Sequence, residues 1–217
     1  MLQYLEHPPK LRATSSIIWL HGLGADGHDF APIPSELDLP SQLQPRFLFP
    51  HAPERPVTVN GGMRMRAWYD ISSRDIGHEP DRFGIDQSLK EIELLVDREL
   101  ERGIRADQIM IAGFSQGGVL ATECLLTFPE KIGGSISLSA YLPRAPESVP
   151  RAKGTKCLFM GHGRQDEIVD FSLGLHARQA LTEAGYQVDW HDWMMGHTVC
   201  REEISSIRSW IIERLSP

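Results

Sequence analysis

Short apolar runs bounded by turn-forming residues alternate along this chain with longer segments of helical period, and few folds accommodate that alternation. A run that is apolar throughout must be covered on both faces, which is the situation of a strand in a parallel sheet with helices packed above and below. The apolar runs at 17–20, 47–49, 109–112 and 157–160, with the more mixed segments 135–138 and 187–190, are predicted to be the buried strands. Between them, Ile85, Leu89, Ile92 and Val96 recur at three- and four-residue steps, predicting one face of a helix that ends near Gly103. Ile204, Ile207, Ile211 and Leu215 predict a C-terminal helix in the same way, and both stripes read as core. The fold class is α/β, with a mostly parallel central sheet flanked by helices. With 217 residues, 41% of them hydrophobic, and neither a repeat nor a Gly/Ser-rich linker, the chain is expected to form a single domain over 1–217. The stretch 51–83 departs from the pattern. It holds Pro, Gly and Arg without sustained period, and is expected to be a long irregular segment walling a site.

The chemistry concentrates at Gly113-Phe114-Ser115-Gln116-Gly117, which follows one predicted strand and opens a helical segment at 119–128. A strand, sharp turn and helix around Gly-x-Ser-x-Gly lift a serine hydroxyl above the sheet, and small residues two positions to either side avoid collision. A serine hydroxyl is a weak nucleophile at neutral pH and needs a base that takes its proton and later returns it. Of nine histidines, His197 has the fitting place, after the last predicted strand and before the last helix. Activity should therefore rise with pH as this imidazole loses its proton. His7, His28, His51, His78, His176 and His191 have no comparable setting. The imidazole needs a carboxylate to hold its tautomer. Asp166, on the loop leaving the 157–160 strand, is favoured by chain order, with Glu167 and Asp170 as close competitors.

Negative charge on the former carbonyl oxygen calls for two backbone N–H donors, and Gln116 supplies one by position. The other is expected from the turn His21-Gly22-Leu23-Gly24 after the first strand, with Leu23 as donor and His21 as a bracing residue. Neither a Gly-x-Gly-x-x-Gly pattern nor a metal-ligand spacing such as His-Glu-x-x-His occurs, so no cofactor and no metal are expected. A net charge of -7 argues against nucleic acid as a partner. The arginines 55, 64, 66, 74 and 82 read as a solvated face. Three cysteines cannot all pair within the chain, and they lie in or beside apolar runs, which suggests a reducing compartment. Without an apolar leader or a membrane-length run, the chain is expected to be cytoplasmic, with no stable membrane insertion.

With these residues in hand, the sequence resembles the phospholipase/carboxylesterase family, which includes bacterial carboxylesterases and acyl-protein thioesterases. The carriers run nearly end to end: 20–27 (LHGLGADG), 50–53 (PHAP), 68–70 (WYD), 113–118 (GFSQGG), 161–163 (GHG) with Asp166, and Gly196-His197. The resemblance implies a small α/β-hydrolase fold without a separate cap domain, a triad at Ser115, Asp166 and His197, and oxyanion donors at Leu23 and Gln116. One departure is Asp170, where many members carry proline in Asp-x-Val-Val-Pro; with Glu167 it adds acidity near the triad. An apolar acyl pocket is expected from Leu23, Met63, Met65 and Trp68. The expected substrate is a small-molecule ester of short to medium chain. Acyl-protein thioesterase or lysophospholipase activity by the same triad is the alternative, and a binding module that has lost activity is the third reading. Pairing into a homodimer is left open.

Overall fold

The computed structural model describes residues 2–9, 11–43, 45–73, 76, 79–129 and 131–216. In chain order its strands are β1 (Tyr4–His7), β2 (Ser15–Leu20), β3 (Pro45–Pro50), β4 (Glu54–Val57), β5 (Met63–Arg66), β6 (Ile109–Phe114), β7 (Gly134–Leu138), β8 (Cys157–Gly163) and β9 (Gln187–Trp193). The helices are α1 (Ile33–Leu37), α2 (Arg82–Glu101), α3 (Gln116–Thr127), α4 (Phe171–Glu183) and α5 (Arg201–Leu215). A seven-stranded sheet runs in the order β1-β3-β2-β6-β7-β8-β9. Every pairing in it is parallel except β1 with β3. This is the mostly parallel sheet that the alternating runs predict, in the α/β-hydrolase arrangement that the family resemblance implies.

The apolar runs are explained by what covers each face. Side chains alternate across a strand, so Ile18 and Leu20 of β2 join one core cluster while Ile17 and Trp19 join the other. β6 repeats this: Ile109 and Ile111 face the first cluster, Met110 and Ala112 the second. α2 (Ile85, Leu89, Ile92), α3 (Val119, Leu120) and α4 (Ala177, Leu181) close the first layer. α1 (Ile33, Leu37) and α5 (Ile207, Trp210, Ile211) close the second. A fully buried residue here, such as Ile92 or Ile211, should cost about 2–5 kcal/mol on truncation to Ala.

The 51–83 stretch is more ordered than its composition suggests. Within it β4 and β5 pair as an antiparallel hairpin, Glu54 opposite Arg66 and Val57 opposite Met63. The turn closes through a short 3-10 segment, Thr58–Asn60, and through Gly61 and Gly62 at φ 66° and 77°, a region open to glycine. Both strands are largely exposed, so they carry no apolar period, and Pro56 is tolerated because a two-stranded hairpin leaves every strand an edge. Arg82 and Phe83 belong to α2, which starts at an N-cap, Asp81, whose Oδ1 accepts from the Gly84 N–H at 2.9 Å. Arg74 and His78 lie outside the described residues. Among the described residues no helix is long and apolar enough to cross a membrane.

Candidate active site

The site gathers where β2, β6 and β8 end and where the chain leaves β9. Ser115 sits between β6 and α3 at φ 55°, ψ -118°, a strained backbone for a non-glycine residue. The turn is possible because its flanks are bare. A Cβ on Gly113 would lie 2.2 Å from the Gly117 backbone, and one on Gly117 would lie 2.3 Å from the Leu20 carbonyl oxygen. The Ser115 N–H donates to Leu138 O at 2.9 Å, tying the elbow to β7.

Asp166 lies on the loop between β8 and α4, with a fully buried side chain. Its Oδ2 accepts from His197 Nδ1 at 2.7 Å, and its Oδ1 accepts from the N–H groups of Ile168 and Val169, both at 2.9 Å. Burial pushes the carboxyl upward, but the bonds from His197, Val169 and Ile168 outweigh it and hold Asp166 below the usual aspartate value. The two competitors for its role point elsewhere. Glu167 is exposed, and Asp170 caps α4, its Oδ1 accepting from the Ser172 N–H at 2.8 Å. The departure from the family's proline thus gives a helix cap.

Two buried histidines brace the surrounding loops. His21 Nε2 accepts from the Ala52 N–H at 3.0 Å, which leaves Nδ1 protonated to donate to Gly22 O at 2.7 Å. Burial lowers its pKa to about 4, so it stays neutral and acts as the brace its position predicts. His162 plays a similar part under the acid loop: its Nε2 donates to Val169 O at 2.8 Å and stands 3.6 Å from Asp166 Oδ2. Its pKa too is lowered by burial. The motif Gly161-His162-Gly163 was the signal for it, but its role needed the fold.

Ser115, His197, Leu23 and Gln116 line one cavity of about 270 Å³. The Phe114 ring lies 4.6 Å from the His197 ring, centroid to centroid, and forms part of the wall. Ile71, Ile76, Tyr141, Ile168 and Val169 make most of the rest, and Asp29 contributes a carboxylate. Of this lining, Leu23 was singled out from the sequence as part of the pocket, and the residues just named were not. Met63, Met65 and Trp68 were, and they lie outside this lining. Met63 is 65% exposed on β5, and Met65 Sδ accepts from Asn60 Nδ2 at 3.3 Å across the hairpin turn. Trp68 is fully buried, with its indole N–H donating to His21 O at 2.9 Å. The hairpin exposes Met63 and holds the half-buried Met65 against its own turn, and the indole is drawn under the loops instead of into the cavity.

Among the described residues, Asp26, His28 and His51 bring potential metal-ligand atoms within 4.8 Å of one another. Sequence spacing did not flag them because His51 comes from a separate segment. Their atoms are already engaged: Asp26 Oδ1 accepts from the His28 N–H at 2.8 Å, and His51 Nδ1 accepts from the Gly27 N–H at 3.1 Å.

The sequence profile of the phospholipase/carboxylesterase family matches residues 7–214. The chain belongs to that family. It is an enzyme of the carboxylic ester hydrolase class with the α/β-hydrolase fold. Acyl-protein thioesterase 1 of Neurospora crassa is 38% identical, the match covering 96% of this chain and 90% of that one. The carboxylesterase SOBER1 of Arabidopsis thaliana is 33% identical over 94% of this chain and 92% of its own. The crystal structure of Arabidopsis SOBER1 superposes with a TM-score of 0.87, at 31% identity, covering 93% of this chain and 99% of that one. From the motifs quoted above, Gly22, Leu23, Tyr69, Phe114, Gln116 and His197 line the cavity beside Ser115.

Proposed function

We propose that this chain is a single-domain serine carboxylesterase that hydrolyses short- to medium-chain esters through an acyl-enzyme. The observation that carries the reading is the hydrogen bond from His197 to the buried Asp166, with His197 on its other side sharing one largely apolar cavity with Ser115. His197 Nε2 takes the Ser115 proton as Oγ attacks the ester carbonyl, and returns it to the departing alcohol. Asp166 holds the proton on Nδ1 and supports the imidazolium that forms. The N–H groups of Leu23 and Gln116 receive the oxyanion in both the acylation and deacylation steps. Water then takes the alcohol's place, with the same histidine as base. Leu23 also flanks the acyl group.

A cavity of about 270 Å³ lies just under the range of roughly 300–1,000 Å³ common for small-ligand sites, which suits a short or medium acyl chain. The second reading, acyl-protein thioesterase or lysophospholipase, is favoured by the naming of the Neurospora relative and uses the same triad. The cysteines support a cytoplasmic place: Cys124 and Cys157 are buried, Cys200 is half-buried, and all three are free thiols. A fluorophosphonate should label wild-type protein at Ser115 and leave Ser115→Ala unlabelled; an unlabelled wild type would refute the reading. Hydrolysis of esters graded by acyl length, run beside matched thioesters, separates the two substrate classes.

A further inference from the structure

Trp68 lies outside the cavity, yet its polar groups engage the elements that carry both proposed oxyanion donors. Its backbone N–H donates to Gln116 Oε1 at 3.0 Å, while Gln116 Nε2 donates to the neighbouring Tyr69 O at 2.9 Å. The Gln116 side chain therefore clasps the 68–69 stretch with both ends of its amide. The Trp68 indole N–H donates to His21 O, and the ring lies 5.2 Å from the His21 ring. His21 opens the turn that presents Leu23. The same segment reaches that turn a second time, since Gly24 N–H donates to Arg66 O at 2.8 Å. The Ser88 hydroxyl donates to Trp68 O and so anchors the residue to α2.

We propose that Trp68 is a positioning residue that sets the spacing between the Leu23 and Gln116 N–H groups, with one hydrogen bond to each side. The inference rests on the oxyanion hole proposed above. Donors help a transition state only if they are already aimed at the place where charge develops, and reorienting them during the reaction forfeits the gain. Leu23 and Gln116 belong to segments far apart in sequence. Trp68 bonds to both sides at once, so loosening it should slow the chemical step more than it weakens substrate binding. A purely packing role would need the ring alone and would leave the rate untouched.

The test is Trp68→Phe, which keeps an aromatic ring and the backbone N–H but removes the bond to His21 O. We expect kcat to fall about tenfold with KM within about twofold, short of the roughly 10²–10³ that follows outright removal of a donor. The Ki of a trifluoromethyl ketone, which adds to Ser115 and places an oxyanion in the hole, should rise by the same factor, while inhibition by the product alcohol, which carries no carbonyl oxygen, stays constant. Trp210→Phe supplies the packing control: Trp210 is 4% exposed, belongs to α5 and sits in the other core cluster. It should lower Tm without lowering kcat. If Trp68→Phe does not fold, Gln116→Met, which retains the Gln116 N–H and loses both side-chain bonds, is read in the same assays. An unchanged kcat, a ketone Ki that does not follow it, or an equal loss in Trp210→Phe overturns the proposal. Failure of the underlying reading looks different: the wild type is inert toward esters, or Ser115→Ala keeps full activity.

Discussion

Replacing Asp166 by Asn changes a single atom, and the structure dictates which way the new amide must face. The position of Oδ1 accepts from two backbone donors, Ile168 N–H and Val169 N–H, and only an oxygen can fill it. The NH2 group therefore lands where Oδ2 now accepts from His197 Nδ1 at 2.7 Å. Two donors cannot share that contact, so the imidazole moves its proton from Nδ1 to Nε2. In the proposed mechanism Nε2 is the nitrogen that must be bare to take the Ser115 proton. The variant should consequently lose the base as well as the support for imidazolium, a combination worth about 10⁴-fold in kcat, or about 5.5 kcal/mol of barrier. KM should hold within a fewfold, because the buried Asp166 side chain does not line the cavity. Steady-state hydrolysis of p-nitrophenyl butyrate near neutral pH measures the first quantity, and imidazole nitrogen NMR reports the tautomer directly. An Asp166→Asn enzyme within tenfold of wild type, or one whose His197 keeps its proton on Nδ1, would refute the reasoning.

Glu203 makes a pH-dependent prediction. Burial raises its pKa from 4.5 to about 8, outweighing a smaller lowering by the Cys200 backbone N–H. The folded state holds a proton that the unfolded chain has released, so this stability is present below about pH 4.5 and is lost as pH rises through about 8. The loss amounts to about 5 kcal/mol, and Glu203→Gln should remove most of it in urea titrations at pH 5 and pH 9; parallel curves for the two proteins would contradict this. His21 works in the opposite sense. Its folded pKa of about 4 against 6.5 when free means stability is full above about pH 6.5 and falls by about 3 kcal/mol toward pH 4. Proton NMR should accordingly show a His21 ring that stays neutral at pH 5.5, and a midpoint near 6.5 for that signal would be inconsistent with the fold. Ile71→Trp, adding bulk to the cavity wall, should reduce kcat/KM for octanoate about tenfold relative to acetate. An unaltered chain-length profile would remove Ile71 from the acyl site.

The strands β2, β6 and β8 were legible because each is buried on both faces, which writes an apolar run into the sequence, while β7 is as buried but reads only through Ile136 and Leu138, its Ser135 and Ser137 being buried polar residues. β1, β4 and β5 are short and partly exposed, so their residues carry no period to read. α4 went unseen for a packing reason. Its buried face is Gly174, Ala177, Ala180 and Leu181, mostly small residues, and a Cβ on Gly174 would come within 2.5 Å of His162 Nδ1. A helix pressed that closely onto the sheet shows little hydrophobic stripe. Ser115, Asp166 and His197 could be singled out from the sequence because chain order and loop position constrain them, and the structure bonds His197 to Asp166 and sets it in one cavity with Ser115. Apart from Leu23 the pocket wall was not singled out, since whether Trp68 meets substrate or His21 depends on a partner 47 residues away. Ile71 and Ile76 come from the same stretch as Trp68 and had no feature to set them apart.

The walls of the cavity issue from separate places along the chain: Leu23 beyond β2, Ile71 and Ile76 beyond the hairpin, Tyr141 beyond β7, Ile168 and Val169 beyond β8. Each can therefore be recast by a local change while the 166–197 bond stays as it is, except at 168 and 169, whose backbone also holds the acid. With the cavity as the proposed acyl site, a lineage built on this plan can alter which acyl groups it admits one residue at a time while the proposed reacting groups stay in place. The same independence lets a protein engineer remodel 71, 76 and 141 together and expect the changes to combine without disturbing the reacting groups.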